Sequence, residues 1–127
     1  MANFSPSKST LTAQKLIEFL EKPVHELTLL GIPGVGPATV EKLKNDGIIS
    51  VQQLMGRYLM FCTTTSSTKE TCECFFSWLN QVSPGGHVHT ITFTIANTLL
   101  MCRIFIKVMI WKRTGNVSFN YIFNLIV

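Results

Sequence analysis

The sequence predicts an all-α protein, a small bundle of about five short helices, and three observations lead to it. Through the first two thirds of the chain, apolar residues recur at helical rather than strand spacing. Side chains that cap helix N-termini stand just before those runs, and Gly/Pro clusters separate them. A chain of 127 residues has room for one domain. The pattern covers residues 10–87. Residues 1–9, rich in Ser, Asn and Pro, read as a disordered N-terminus, and residues 88–127 as an apolar tail of open status.

Thr10 is placed to cap a first helix running to about Lys22, with Ala13, Leu16, Ile17 and Leu20 on one face. Pro23 to Leu30 supplies a short second helix with Val24, Leu27 and Leu30 on one side. A glycine-rich hairpin leads from it into a third, where Val40 and Leu43 are apolar and Glu41, Lys42 and Lys44 polar. Gly47 stands where a left-handed C-terminal residue is wanted. Ser50 and Gln53 form a capping box for the next helix, whose face is Val51, Leu54, Met55, Tyr58 and Leu59. After a polar loop over Cys62–Thr68, Ser67 and Glu70 make a second box. Phe75, Phe76, Leu79 and Val82 give the last helix its stripe, Trp78 broadens it, and Ser83-Pro84-Gly85-Gly86 ends it.

The hairpin carries the chemistry. Residues 31–43 read Gly-Ile-Pro-Gly-Val-Gly-Pro-Ala-Thr-Val-Glu-Lys-Leu. Gly34 and Gly36 can adopt positive φ and admit close approach of another backbone. Pro37 suits the first turn of the following helix, where its missing N–H would have had no partner. A loop of this kind turns free N–H groups outward at a helix N-terminus, and such a nest of donors suits a phosphate oxygen. The run lacks the Gly-Lys-Ser/Thr ending of a P-loop and is too short for a dinucleotide fingerprint. Its two arms give it the pattern of a helix-hairpin-helix.

Composition narrows the function. The formal net charge is +4, but residues 1–87 hold seven basic and seven acidic side chains, so the domain is neutral. Arg103, Lys107, Lys112 and Arg113 in the tail supply the excess. A neutral domain holds a polyanion weakly unless it is multivalent. Met1 to Lys8 is polar and unlike a signal segment, so the four cysteines are expected to be reduced and the chain intracellular. Cys72, Cys74, His87 and His89 do not match a recurrent metal-ligand spacing, and no metal or other cofactor is expected. No nucleophile with a base and no paired carboxylates appear, so the chain reads as a non-enzyme. The tail stays open between two readings. Ile91 to Trp111 is long enough to span a bilayer, at a cost of about 2.5–3.5 kcal/mol each for Arg103 and Lys107. Alternatively it is a segment never selected to fold, such as a read-through or misassigned exon.

Gln14-Lys15 precedes Glu21-Lys22-Pro23-Val24; the Leu-Gly-Ile lead-in and glycine hairpin follow, and then Leu54-Met55-Gly56-Arg57-Tyr58-Leu59 and Phe75-Phe76-Ser77-Trp78-Leu79. This order of motifs resembles the barrier-to-autointegration factor family, small chromatin proteins of SAM-like helical fold, the last two strings resembling two later family helices. The likeness covers about residues 10–86. It implies a non-enzymatic, nuclear protein, also cytoplasmic in part, that dimerises, binds double-stranded DNA without sequence preference and meets nuclear-envelope partners. Its DNA contacts carry over to Lys15, Gly34, Val35, Gly36, Ala38 and Thr39, with Lys42 the nearest helix charge. The hairpin is closer to the general repair-type motif than to the family's own. The family's last helix, which contributes to dimerisation and DNA contact, has no counterpart in the reading of residues after Gly86. A contrasting reading is a protein-interaction domain docking a partner on Tyr58, Phe75, Phe76 and Trp78; a third is an adaptor anchored to a membrane by the tail.

Overall fold

The computed structural model describes residues 3–114, with side chains described as far as Met101 apart from Val24. Five α-helices follow one another: α1 (Ala13–Glu21), α2 (Pro37–Asn45), α3 (Val51–Cys62), α4 (Thr68–Val82) and α5 (Val88–Thr114). Among the described residues there is no strand. The chain divides into two compact units, residues 1–96 and 97–127. The second is helical as far as Thr114. The side chains of the Ile91–Trp111 span beyond Met101, those of Arg103 and Lys107 among them, and residues 115–127 lie outside the described residues. Among the described residues no helix is long and apolar enough to cross a membrane.

In the first unit, caps set the helix ends. Ser50 Oγ accepts the N–H of Gln53 at 3.1 Å, and Ser67 Oγ that of Glu70 at 3.2 Å, as the two boxes require. The return bonds reach one residue further back than expected: Gln53 Oε1 accepts from Ile49 N, and Glu70 Oε2 from Ser66 N. Those bonds from the Ser66 backbone and then its hydroxyl hold the Glu70 carboxyl below its ordinary range. At the end of α2, Gly47 takes φ +87°, with Gly47 N–H bonded to Lys44 O and Ile48 N–H to Leu43 O. These two bonds are a Schellman motif.

The core brings α3, α4 and the start of α5 together. Leu54, Phe75 and Leu79 are fully buried, with Val51, Tyr58 and Phe76 close behind. Tyr58 meets Phe75 edge-on at 5.4 Å between ring centroids, a favourable aromatic geometry. Cys72 packs beside them, 3.5 Å from Tyr58 Oη, and burial pushes its thiol up, which keeps it protonated. The aromatic docking surface is therefore corrected: Tyr58, Phe75 and Phe76 are core. Trp78 is half-buried, with the Arg57 guanidinium 5.0 Å over its ring.

Several local expectations change. α1 is capped by Thr12, whose Oγ1 accepts from Lys15 N, not by Thr10. Phe19 is its buried residue, while Ile17 is half exposed. The first arm of the hairpin is not an α-helix but two 3₁₀ turns, Val24–Glu26 and Leu29–Gly31, which bury Leu29 and leave Leu30 exposed. On α2 the inward pair is Thr39 and Leu43, with Val40 at the margin.

The largest differences lie at the two ends. Residues 4–9, within the segment 1–9 expected to be disordered, form with Thr10 a strap that has a 3₁₀ turn at Pro6–Lys8. Ser5 N–H donates to His89 Nδ1 at 3.2 Å and Thr10 N–H to Thr90 Oγ1 at 2.9 Å. Phe4 lies against Phe76 and His89. A helix also follows Gly86 after all. Val88, Thr90, Ile91, Thr92, Thr94 and Ile95 of α5 are buried, and the compact unit runs to Ala96, beyond the expected boundary at 87.

Candidate nucleic-acid interface

Residues 32–35 form a four-residue turn closed by Val35 N–H to Ile32 O at 3.0 Å. Pro33 stands at its second position and Gly34, at φ +93°, at its third, the requirements of a type II turn. Gly36 is not in the left-handed region; at φ −108° it is the extended N-cap of α2, and Pro37 opens the helix. The two glycines thus serve different ends. Gly34 makes the turn and allows close packing: a Cβ there would lie 3.1 Å from Thr90 Cβ and Cγ2 and 3.2 Å from His87 Cβ. Gly36 has open space around it.

Donors remain at the mouth of α2. Val40 N–H bonds to Gly36 O, the first bond of the helix. Among the described residues the N–H groups of Gly36, Ala38 and Thr39 have no acceptor. They lie at the positive end of the helix dipole. Because Gly34 sits on His87 and Thr90, the first turn of α5 lies beside the hairpin, and the N–H groups of His89 and Thr90 likewise have no acceptor among the described residues. His87 is exposed.

The expected residues separate into groups. Lys15, exposed on the first turn of α1, shares with Gly34 and Val35 an open groove of about 810 Å³. That groove is lined also by Lys22 and by Glu18, Glu21 and Glu26, so its charge is not positive. Val35 is buried and its N–H is spent on the turn. Ala38 is exposed and Gly36 half-buried. Thr39 is buried at 6% exposure; its Oγ1 lies 3.5 Å from Ser83 Oγ, so its side chain faces the turn before α5 and only its backbone N–H belongs to the donor set. Lys42 is exposed one turn beyond Ala38 on α2 and does not line the groove. Missing from the expectation were His87 and Thr90. The Ser83–Gly86 stop marked the end of one helix, but no capping pair announced the next.

The first unit is thus a small helical protein whose hairpin and neighbouring helix starts present unspent backbone donors, a class suited to holding phosphate. The model of the barrier to autointegration factor family matches residues 10–90, and the chain belongs to that family. The match runs into the first turn of α5, which the hairpin touches. The family is one of non-enzymatic, DNA-binding chromatin proteins. Comparison with curated proteins finds no match, and comparison with solved structures finds none either.

Proposed function

We propose that this protein binds double-stranded DNA through its phosphate backbone, without sequence preference, at the hairpin. The observation that carries the reading is the set of unspent N–H groups on Gly36, Ala38 and Thr39 at the N-terminus of α2. Backbone donors fix a phosphate but see no base edge, so they position without specifying sequence. Lys15 on the groove side and Lys42 along α2 add screened Coulomb attraction. Glu18, Glu21 and Glu26 oppose it, so one site is weak and strongly salt-dependent. The reading extends to a homodimer that joins two duplexes, to nuclear, chromatin-associated residence and to a nuclear-envelope partner, all supported by family membership.

The test is a fluorescence-anisotropy titration of a labelled duplex with the full chain at about 50 and 200 mM salt, beside Gly36→Glu. Gly36 has room for a side chain, so the variant keeps its fold while placing a carboxylate among the donors. Binding that falls steeply with salt and is lost in Gly36→Glu is the expected result. A folded wild-type protein that leaves the duplex free at low salt refutes the reading.

A further inference from the structure

We propose that Thr90 is a positioning residue that joins the two halves of the DNA site, the hairpin and the start of α1; the inference rests on the DNA-binding reading above. Thr90 is 3% exposed and uses both branches of its side chain. Its Cβ and Cγ2 are the atoms nearest Gly34, at 3.1 Å from where a Cβ would stand. Its Oγ1 accepts the N–H of Thr10 at 2.9 Å and lies 3.1 Å from Thr10 Oγ1.

Thr10 is two residues before Thr12, the N-cap of α1, and Thr12 bonds the N–H of Lys15. A short path of hydrogen bonds and chain therefore runs from Lys15 through Thr12 and Thr10 to Thr90, which in turn packs against Gly34. α1 and the hairpin have an open groove between them. Across that gap, Thr90 fixes how far Lys15 stands from the hairpin donors. Residues 3–9, which precede the family match, add a second point of attachment, where Ser5 N–H meets His89 Nδ1 on the same turn of α5.

The two branches can be separated. Thr90→Val keeps the methyl against Gly34 and removes the acceptor for Thr10. Thr90→Ser keeps the hydroxyl and rescues. Thr10→Pro removes the donor from the other side, at a surface position; Ser9, at φ −70° and ψ 140°, already has the backbone that a residue before proline adopts. Duplex binding by the full chain is measured for wild type, each variant, and each combined with Lys15→Ala or Lys42→Ala.

Thr90→Val and Thr10→Pro should weaken binding by about three- to tenfold, the net worth of one hydrogen bond, with Thr90→Ser near wild type. In both weakened variants the further loss on Lys15→Ala should shrink to under about twofold, while the loss on Lys42→Ala stays undiminished. Amide hydrogen exchange at Thr10 should be slow in wild type and Thr90→Ser and fast in Thr90→Val. If wild type binds duplex but the Thr90 and Lys15 effects simply multiply, or the Thr10 amide exchanges freely in wild type, Thr90 is no joint and the DNA reading stands without it. If wild type does not bind duplex, both fall together.

Discussion

Replacing each hairpin glycine by alanine should give very different results. At Gly34 two costs add. The residue holds φ +93°, in the region where an L side chain crowds the following carbonyl, worth about 1–2 kcal/mol. The new Cβ would also stand 3.1–3.2 Å from Thr90 and His87, closer than an ordinary carbon contact, and overpacking of this kind costs about 1–3 kcal/mol. The atoms that must yield are the Cβ of His87 just before α5 and the Cβ and β-branched methyl of Thr90 on it, not the tip of a flexible chain. Gly34→Ala should therefore destabilise the protein by about 2–5 kcal/mol, a large share of the 5–15 kcal/mol typical of a domain. At Gly36 φ is −108° and, beyond its chain neighbours, no described residue lies within 4 Å of the new methyl. The reduced freedom of the unfolded chain, worth about 0.4–1 kcal/mol, opposes the poorer capping by alanine, so the net change stays within about 1 kcal/mol. The assay is urea unfolding followed by helical circular dichroism, with the slope checked for constancy. Equal midpoints for the two variants would refute the assignment of Gly34 as the packing glycine.

Two further expectations concern α5. Thr92 is fully buried and its hydroxyl has no hydrogen-bond partner among the described residues, so Thr92→Val should raise stability by about 1–3 kcal/mol, the penalty of an unsatisfied buried group. Thr94→Val, which breaks the 2.8 Å bond to Thr90 O, should give no such gain, and a thermal melt in which Thr92→Val unfolds earlier than wild type contradicts the packing. His89 is held below its ordinary value by burial and then by Lys8, and Phe4 and Phe76 face the ring from the strap and α4. Its neutral Nδ1 accepts from Ser5, so the unfolded chain takes up the proton first as pH falls. The stability from His89 is complete above about pH 6.5 and is lost as pH falls through the lowered value. Melting temperatures from about pH 7.5 to 5 should fall more in wild type than in His89→Phe; identical profiles would show that the ring is not coupled to folding.

How much of this was legible depends on whether local chemistry or packing decides each residue. Helix starts at Ser50 and Ser67, the stop at Gly47 and the Pro33-Gly34 turn follow from bonds a few residues apart, and local sequence sets them. The faces of α3 and α4 were legible in the main because their apolar residues repeat at helical spacing and bury together, although Leu59 of the expected α3 face is exposed. α5 was not. Residues 90–95, Thr-Ile-Thr-Phe-Thr-Ile, alternate β-branched side chains in a manner that suits a strand better than a helix. In the structure neighbours of both phases, Ile91, Thr92, Thr94 and Ile95, are buried, so no polar face marks the helical period. The strap was hidden for a related reason, since a Ser-rich segment looks disordered until a partner accepts its N–H groups.

The sequence by itself determined that the first two thirds of the chain are helical, where the helices capped by Ser50 and Ser67 begin, and that a glycine hairpin opens another, because each rests on interactions within a turn or two of chain. Only the tertiary structure decided which glycine packs and which stays open, that Thr39 turns inward, and that residues 4–10 and the start of α5 complete the unit around the hairpin. Those outcomes depend on contacts such as Thr10 with Thr90 and Gly34 with His87, between residues far apart in the chain, whose cost in chain entropy is repaid only when the core has formed.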